Sequence, residues 1–121
     1  MKRLTKAEEE IMQIVWKLER CTVRDIIEEI AKVQSKPPHS TISSIARILD
    51  DKGFLGHKAY GRTYEYFALI SKEAYSRFTL TKLASDYFGG SMNRLVSFLV
   101  KDDALDKGEL NTLLDQLDEE E

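Results

Sequence analysis

Over the first fifty positions apolar residues recur every three or four places, the spacing that lines one side of a helix. Leu4, Ala7, Ile11, Ile14, Val15 and Leu18 form the first stripe, with Trp16 beside it. Thr5-Lys6-Ala7-Glu8 is a capping-box pattern, so a helix is predicted from Thr5 to Leu18. Thr22 is a good N-cap for a second helix, whose buried stripe is Val23, Ile26, Ile27 and Ile30. Gln34-Ser35-Lys36-Pro37-Pro38 interrupts it, because paired prolines end one helix and preset entry to the next. A third helix follows, from about Ser40 to Asp51, with Ile42, Ile45, Ile48 and Leu49 on its apolar side. Gly53 suits the left-handed position just past its end.

The pattern then changes. Leu55 to Tyr60 and Thr63 to Leu69 are rich in aromatic residues and flank Gly61-Arg62, which suits a type II′ hairpin turn. In that register Lys58 faces Glu65, and Tyr64 and Tyr66 share a face. Helical spacing returns at Ser71 and runs through Tyr87, with a wide apolar surface of Tyr75, Phe78, Leu80, Leu83, Ala84 and Tyr87. Gly89-Gly90 stops it. Ser91 caps a further helix with Met92, Leu95, Val96 and Leu99 as its stripe, widened by Phe98. Asp106-Lys107-Gly108-Glu109 is another capping box, ahead of Leu110, Leu113, Leu114 and Leu117. The fold class expected is mainly α with a small β-hairpin wing. It comprises a winged helix-turn-helix domain over 1–70 and a helical dimerisation domain over 71–121.

Composition narrows the function. With 42% hydrophobic and 32% charged residues in 121, the chain can bury a core, so disorder throughout is not expected. No stretch approaches the ~18 apolar residues of a membrane span, so no membrane insertion is expected. Met1 to Glu10 runs basic, then acidic, without the apolar segment of a signal peptide. Cys21 is the one cysteine, and no Cys/His spacing fits a metal site. These features suit the cytoplasm. No P-loop, Ser-His-Asp spacing or phosphate-cradling glycine loop is present, so neither an enzyme nor a cofactor is expected. Residues 1–70 carry 12 basic and 10 acidic side chains, and residues 71–121 carry 6 and 11. Lys32, Lys36, Arg47, Lys52, Lys58 and Arg62 fall between 32 and 64, against Asp50 and Asp51 alone. A nucleic-acid surface depends on such a local excess more than on the net charge of −3.

The third helix carries the candidate chemistry. Ser40, Ser43, Ser44 and Arg47 lie at i, i+3, i+4 and i+7 and share a face, with Thr41 beside them. Serine is a mediocre helix former, so three on one face suggest that something approaches closely. Serine and threonine can bond a base or a phosphate, and arginine can grip guanine with two hydrogen bonds. The competing reading is a solvated face. In the hairpin, Arg62 and Lys58 are candidates for phosphate contact, and Tyr60 can reach one from beside the turn. Lys58 can instead merely pair with Glu65, and Tyr64 and Tyr66 suit packing. His39 and His57 lack the supporting Cys or carboxylate spacing of a metal or pH sensor, so exposed histidines near DNA are expected instead. Cys21 reads as a small buried hydrophobe rather than a nucleophile or redox switch.

The region after the hairpin has more apolar faces than about fifty residues can cover, so a second copy is expected. Its contacts would come from Tyr75, Phe78, Leu83, Tyr87, Met92, Leu95, Val96 and Leu99, and from Leu110, Leu113, Leu114 and Leu117. The run Leu4 to Trp16 resembles the opening of the BlaI/MecI penicillinase-repressor family. So do Thr41 through Leu49 with Lys52-Gly53-Phe54-Leu55, Tyr64-Glu65-Tyr66, and Gly89-Gly90 before a helix. The resemblance implies a homodimeric winged-helix repressor on a palindromic operator, and places Ser40, Thr41, Ser43 and Ser44 on its recognition helix. Best-known members are more basic there. In those members, release follows cutting of the C-terminal domain by a membrane sensor system. The family's cleaved pair is usually Asn-Phe; the matching pair here is Ser97-Phe98, with the aromatic kept and the asparagine replaced. The copper-responsive branch's C-terminal cysteine cluster is missing. The expected function is therefore repression by occluding a promoter. Two alternatives stay open: a winged-helix regulator released by a small ligand, and a winged-helix protein-interaction adaptor without DNA.

Overall fold

Thr5 and Glu8 close the first helix end reciprocally. The Thr5 hydroxyl accepts from the Glu8 amide at 3.2 Å, and the Thr5 amide donates to Glu8 Oε1 at 2.9 Å. A computed structural model of the chain, described over residues 1–101 with Gly108 and Thr112, places helix α1 at Lys6–Leu18. Then come a two-residue strand β1 (Arg20–Cys21), α2 (Val23–Ala31) and α3 (His39–Asp51). The hairpin strands β2 (Leu55–Tyr60) and β3 (Thr63–Ala68) precede α4 (Lys72–Tyr87) and α5 (Met92–Lys101). The stripe Leu110, Leu113, Leu114 and Leu117 lies outside the described residues. The chain divides into two units between Ala74 and Tyr75.

In the first unit, α1, α2 and α3 bury Ile11, Met12, Val15, Ile26, Ile27, Ile42 and Leu49, as helical spacing requires. Ile48 departs from expectation and is 46% exposed. The buried stripe of α3 runs Ile42, Ala46 and Leu49, with the small Ala46 fully buried. Phe54 and Leu55 finish the core where the chain leaves α3. Gly53, at φ +82, makes that exit in the left-handed region.

The sheet has three strands in the order β1-β3-β2, both pairings antiparallel. Strand β1, unforeseen in the sequence, pairs Arg20 with Phe67 and Cys21 with Tyr66. It follows α1 after one residue, Glu19, whose φ 70 and ψ −52 are strained for a side chain with a Cβ. The hairpin register is as read: Lys58 opposite Glu65, Tyr60 opposite Thr63. Gly61 has φ +63 at the first turn position, as a type II′ turn needs. Gly56 is also constrained, because a Cβ there would lie 2.7 Å from the ring of its cross-strand partner Phe67. Trp16 Nε1 donates to the Ile70 carbonyl at 2.9 Å, tying α1 to the chain beyond the hairpin.

One buried ion pair fixes α1 to the end of α3. The Lys52 ammonium reaches both Glu8 oxygens, at 2.7 and 3.0 Å, and Glu8 is 4% exposed. Burial alone raises the Glu8 carboxyl pKa. The bonds from Lys52 and Thr5 and the Lys52 charge outweigh it, and hold the group below its ordinary value.

In the second unit Gly89 and Gly90, at φ +61 and +83, end α4, and the Gly90 amide donates back to the Ala84 carbonyl at 2.8 Å. Ser91 then caps α5 by accepting from the Arg94 amide at 3.2 Å. Ala84, Leu95 and Val96 are buried, and the Phe88 and Phe98 rings lie 5.5 Å apart.

Because the Glu8 carboxyl is held low when folded, its stabilisation is present above the unfolded value of about 4.5 and is lost as pH falls through the folded value. Glu8→Gln is expected to lower stability by about 1–2 kcal/mol near neutrality, the cost of a lost charge-assisted bond beside a half-exposed lysine. Thermal melts of both proteins from neutral to acid pH check this: the gap should close on acidification, and a constant gap contradicts the assignment.

Candidate nucleic-acid interface

The site begins with how α2 and α3 start. Thr22 and Asp25 cap α2 reciprocally, with bonds of 3.2 and 2.9 Å. Pro38 is the N-cap of α3, extended at φ −61 and ψ 141, and gives no side-chain bond. The first turn of α3 therefore presents His39, Ser40 and Thr41 to solvent without a protein cap. A helix N-terminus left open in this way favours anions.

A groove of about 1100 Å³ lies between these helix starts and the hairpin. From α2 and the loop after it come Thr22, Val23, Arg24, Ile27, Glu28, Lys36 and Pro37; from α3 come His39, Ser43 and Arg47. The hairpin contributes Gly61, Arg62, Thr63, Tyr64 and Tyr66. Arg24 pairs with Glu28, the one carboxylate lining the groove, at 3.4 Å. Among the described residues no carboxylate pairs with Lys36, Arg47 or Arg62. Three unneutralised cations thus face one concave surface. Tyr66 forms its buried floor, and burial, helped by Asp50 and Tyr64 against Arg47, raises its hydroxyl pKa. It stays neutral there.

The expected site residues divide by position. Ser43, Arg47 and Arg62 come together around the groove. Ser40, Thr41 and Ser44 are exposed on α3 outside it. Lys58 and Tyr60 are exposed on β2 but do not line it. Strand parity puts them on the opposite face from Tyr64 and Tyr66, because successive side chains alternate faces, and of their own face only Thr63, beside the turn, borders the groove. Lys58 and Tyr60 share their face with Glu65 and Thr63, whereas His57 and Ala59 share theirs with Tyr66 and Tyr64. Lys58 does not pair with Glu65 as one reading had it. Glu65 binds Arg20 of β1 at 3.5 Å, and Lys58 Nζ lies 5.4 Å from the Tyr60 ring centre. The sequence reading did not name Arg24, Lys36, His39, Thr63 and Tyr64 as contact residues. Lys36 had a signal in the basic window and His39 was expected to lie exposed near DNA; Arg24, Thr63 and Tyr64 needed the tertiary fold.

The remaining candidates also have definite settings. His57 donates from Nδ1 to Asp50 and stacks on Tyr64. No group of three or more metal-ligating side chains occurs among the described residues. Cys21 is 1% exposed, and burial, then Asp25 and Glu65, push its thiol up to about 12. Of the residues expected in a dimer contact, Tyr75, Leu95 and Val96 are buried within the single chain, and Phe78, Met92 and Leu99 are half-buried. Leu83 is 37% and Tyr87 75% exposed. Ser97 and Phe98 lie exposed within α5.

Three helices, a short strand and a hairpin beside an open cationic groove define a winged-helix domain. Residues 4–119 match the family model described as penicillinase repressor. The chain belongs to the penicillinase repressor family, a family of repressors rather than of enzymes. Its sequence is 26% identical over 117 residues to the penicillinase repressor of Bacillus licheniformis, covering 97% of this chain and 91% of that one. The fold is similar to the solution structure of the DNA-binding domain of the repressor BlaI, with TM-score 0.51 and 31% identity. That match covers 60% of this chain and 90% of the other. It is also similar to monomeric Bacillus licheniformis BlaI solved in complex with the blaP half-operator, with TM-score 0.50 and 28% identity, over 61% and 89% of the two chains.

The buried, high-pKa thiol of Cys21 is expected to resist a disulfide reagent in the native protein and to react fully once denatured. Following thiolate release by absorbance with and without denaturant checks this. Rapid native labelling would restore Cys21 as a candidate reactive group.

Proposed function

We propose that the chain is a DNA-binding transcriptional repressor that reads an operator with α3 and grips the backbone with the hairpin. The observation that carries this is the groove in which Ser43 and Arg47 of α3 stand opposite Arg62 of the hairpin turn, with Lys36 alongside. The major groove of DNA admits one helix. Short serines let α3 approach, and Arg47 can reach a base edge or a phosphate. Arg62 and Lys36 suit phosphates, where displaced counterions supply affinity. Ser40, Thr41 and Ser44 extend the reading face toward the open end of α3. Lys58 and Tyr60, on the far side of the hairpin, suit a flanking phosphate. The family and the similarity to BlaI solved with a half-operator support this reading.

The finer mechanism is a homodimer on a palindrome that occludes a promoter. Residues 1–70 bind DNA and residues 71–121 dimerise. Leu83, Tyr87, Phe98 and Val100 are exposed apolar side chains that a second copy would cover. Linking two half-sites raises affinity through effective concentration. The expected contribution of Leu110, Leu113, Leu114 and Leu117 to that contact falls outside the described residues. Release by a sensor protease would act at Ser97-Phe98. That bond is solvent-exposed but sits inside α5, so cutting requires α5 to open locally.

Fluorescence anisotropy with DNA from upstream of the protein's own gene, against scrambled DNA over a salt series, tests the proposal. Two protomers per site and a steep salt dependence are expected. Equal weak binding to both DNAs removes autoregulation, and no binding to any selected DNA favours a protein-interaction adaptor. Arg47→Ala is expected to cost about 1–3 kcal/mol and relax selectivity. Arg62→Ala is expected to weaken all sequences alike and flatten the salt slope by about one unit. A sequence-selective loss on removing Arg62 would contradict its phosphate role.

A further inference from the structure

His57 joins three elements of the first unit through one imidazole. Its Nδ1–H donates to Asp50 Oδ2, near the C-terminal end of α3. Its ring stacks on Tyr64 of β3, with centroids 4.4 Å apart and planes 18° from parallel. Tyr64 meets the buried Tyr66 edge-on at 6.3 Å. Ala59 is the cross-strand partner of Tyr64, and its small side chain leaves room for the ring to lean toward His57. The reading helix, the outgoing strand and the returning strand are thus fastened together, and Tyr64 stands two residues from Arg62.

This link is poorly explained as a stability device. The His57 and Asp50 side chains are 38% and 27% exposed, and such pairs contribute little to folding. What it fixes is geometry. Beyond the Arg20–Cys21 pairing the hairpin continues toward its turn as a two-stranded ribbon, which twists more than a wider sheet. The stack sets the angle at which the hairpin leaves α3, and so the span from Arg47 to the turn. The geometry points to His57 as a positioning residue for DNA binding: through Tyr64 and Asp50 it holds Arg62 at the reach of a phosphate while α3 occupies the groove. The inference rests on the DNA-binding reading above.

The test uses the intact chain and the DNA to which the unsubstituted protein binds. Anisotropy over a salt series is read for His57→Ala, Arg62→Ala and the double variant, with thermal melts alongside. His57→Ala is expected to keep a cooperative melt, to weaken binding about tenfold, and to flatten the salt slope by about one unit, as loss of one phosphate contact does. The double variant is expected to be no flatter than Arg62→Ala alone, because both changes remove one contact. Should His57→Ala fail to fold, His57→Gln removes the stacked ring without altering a residue that lines the groove, and is read the same way. A wild-type slope and affinity in the folded variant, or additive losses in the double variant, overturns the positioning role and leaves the DNA-binding reading intact. Absence of salt-dependent DNA binding by the unsubstituted protein overturns both.

Discussion

Pairing of β3 on both its edges is the constraint on which the rest of the first unit depends. A lone two-stranded hairpin is marginal in water. Here Phe67 and Tyr66 also pair with Arg20 and Cys21, so the returning strand is fixed to the chain that leaves α1. That pairing puts Tyr66 on the buried side, against the helices, and Glu65 and Phe67 on the other, where Arg20 covers both. The hairpin tip can project only because its base is held this firmly. The strained Glu19 is part of the same arrangement: with one residue between α1 and β1, the chain must turn at once to reach the edge of β3.

The charges follow from the same parity. One face of the hairpin uses Glu65 internally, against Arg20. The opposite face contributes no carboxylate to the groove, and among the described residues no carboxylate pairs with Arg62, Arg47 or Lys36. This is how a chain of net charge −3 presents a cationic surface. The acidic side chains near the groove are otherwise engaged: Glu28 with Arg24, and Asp50 with His57.

Much of this was legible in the sequence where local rules act. The capping box at Thr5, the helix stripes, the Gly61-Arg62 turn and the register of Lys58 with Glu65 each depend on residues close in the chain. Strand β1 was not legible, because two residues carry no periodicity and their strand character comes from a partner more than forty positions away. Ile48 was misread because the helical stripe has two candidate edges, and the one that packs inward is Ile42, Ala46 and Leu49. Arg47 and Arg62 could be named from their positions on a helix face and at a turn. Strand alternation alone put Lys58 on the opposite face of the hairpin from Tyr64 and Tyr66, but that the groove lies on the tyrosines' side required the fold. The joining of Arg24 and Lys36 to the site was not legible either, since it requires the packing of α2 beside α3 and the hairpin.

The uneven charge along the chain gives the DNA-binding reading one more physical consequence. Residues 1–70 have a slight basic excess, whereas acidic residues outnumber basic ones 11 to 6 from 71 to 121. A polyanion attracts the first region and repels the second, so long-range forces favour encounters that lead with the first. The acidic region then has no electrostatic reason to compete for phosphates, and its apolar side chains are left to protein contacts. Under the proposed function, the field around Arg47, Arg62 and Lys36 would attract any duplex, so specificity would have to come from the few groups that reach bases. A reading face of serines with one arginine would then make close approach of α3, rather than charge alone, the step that separates an operator from other DNA.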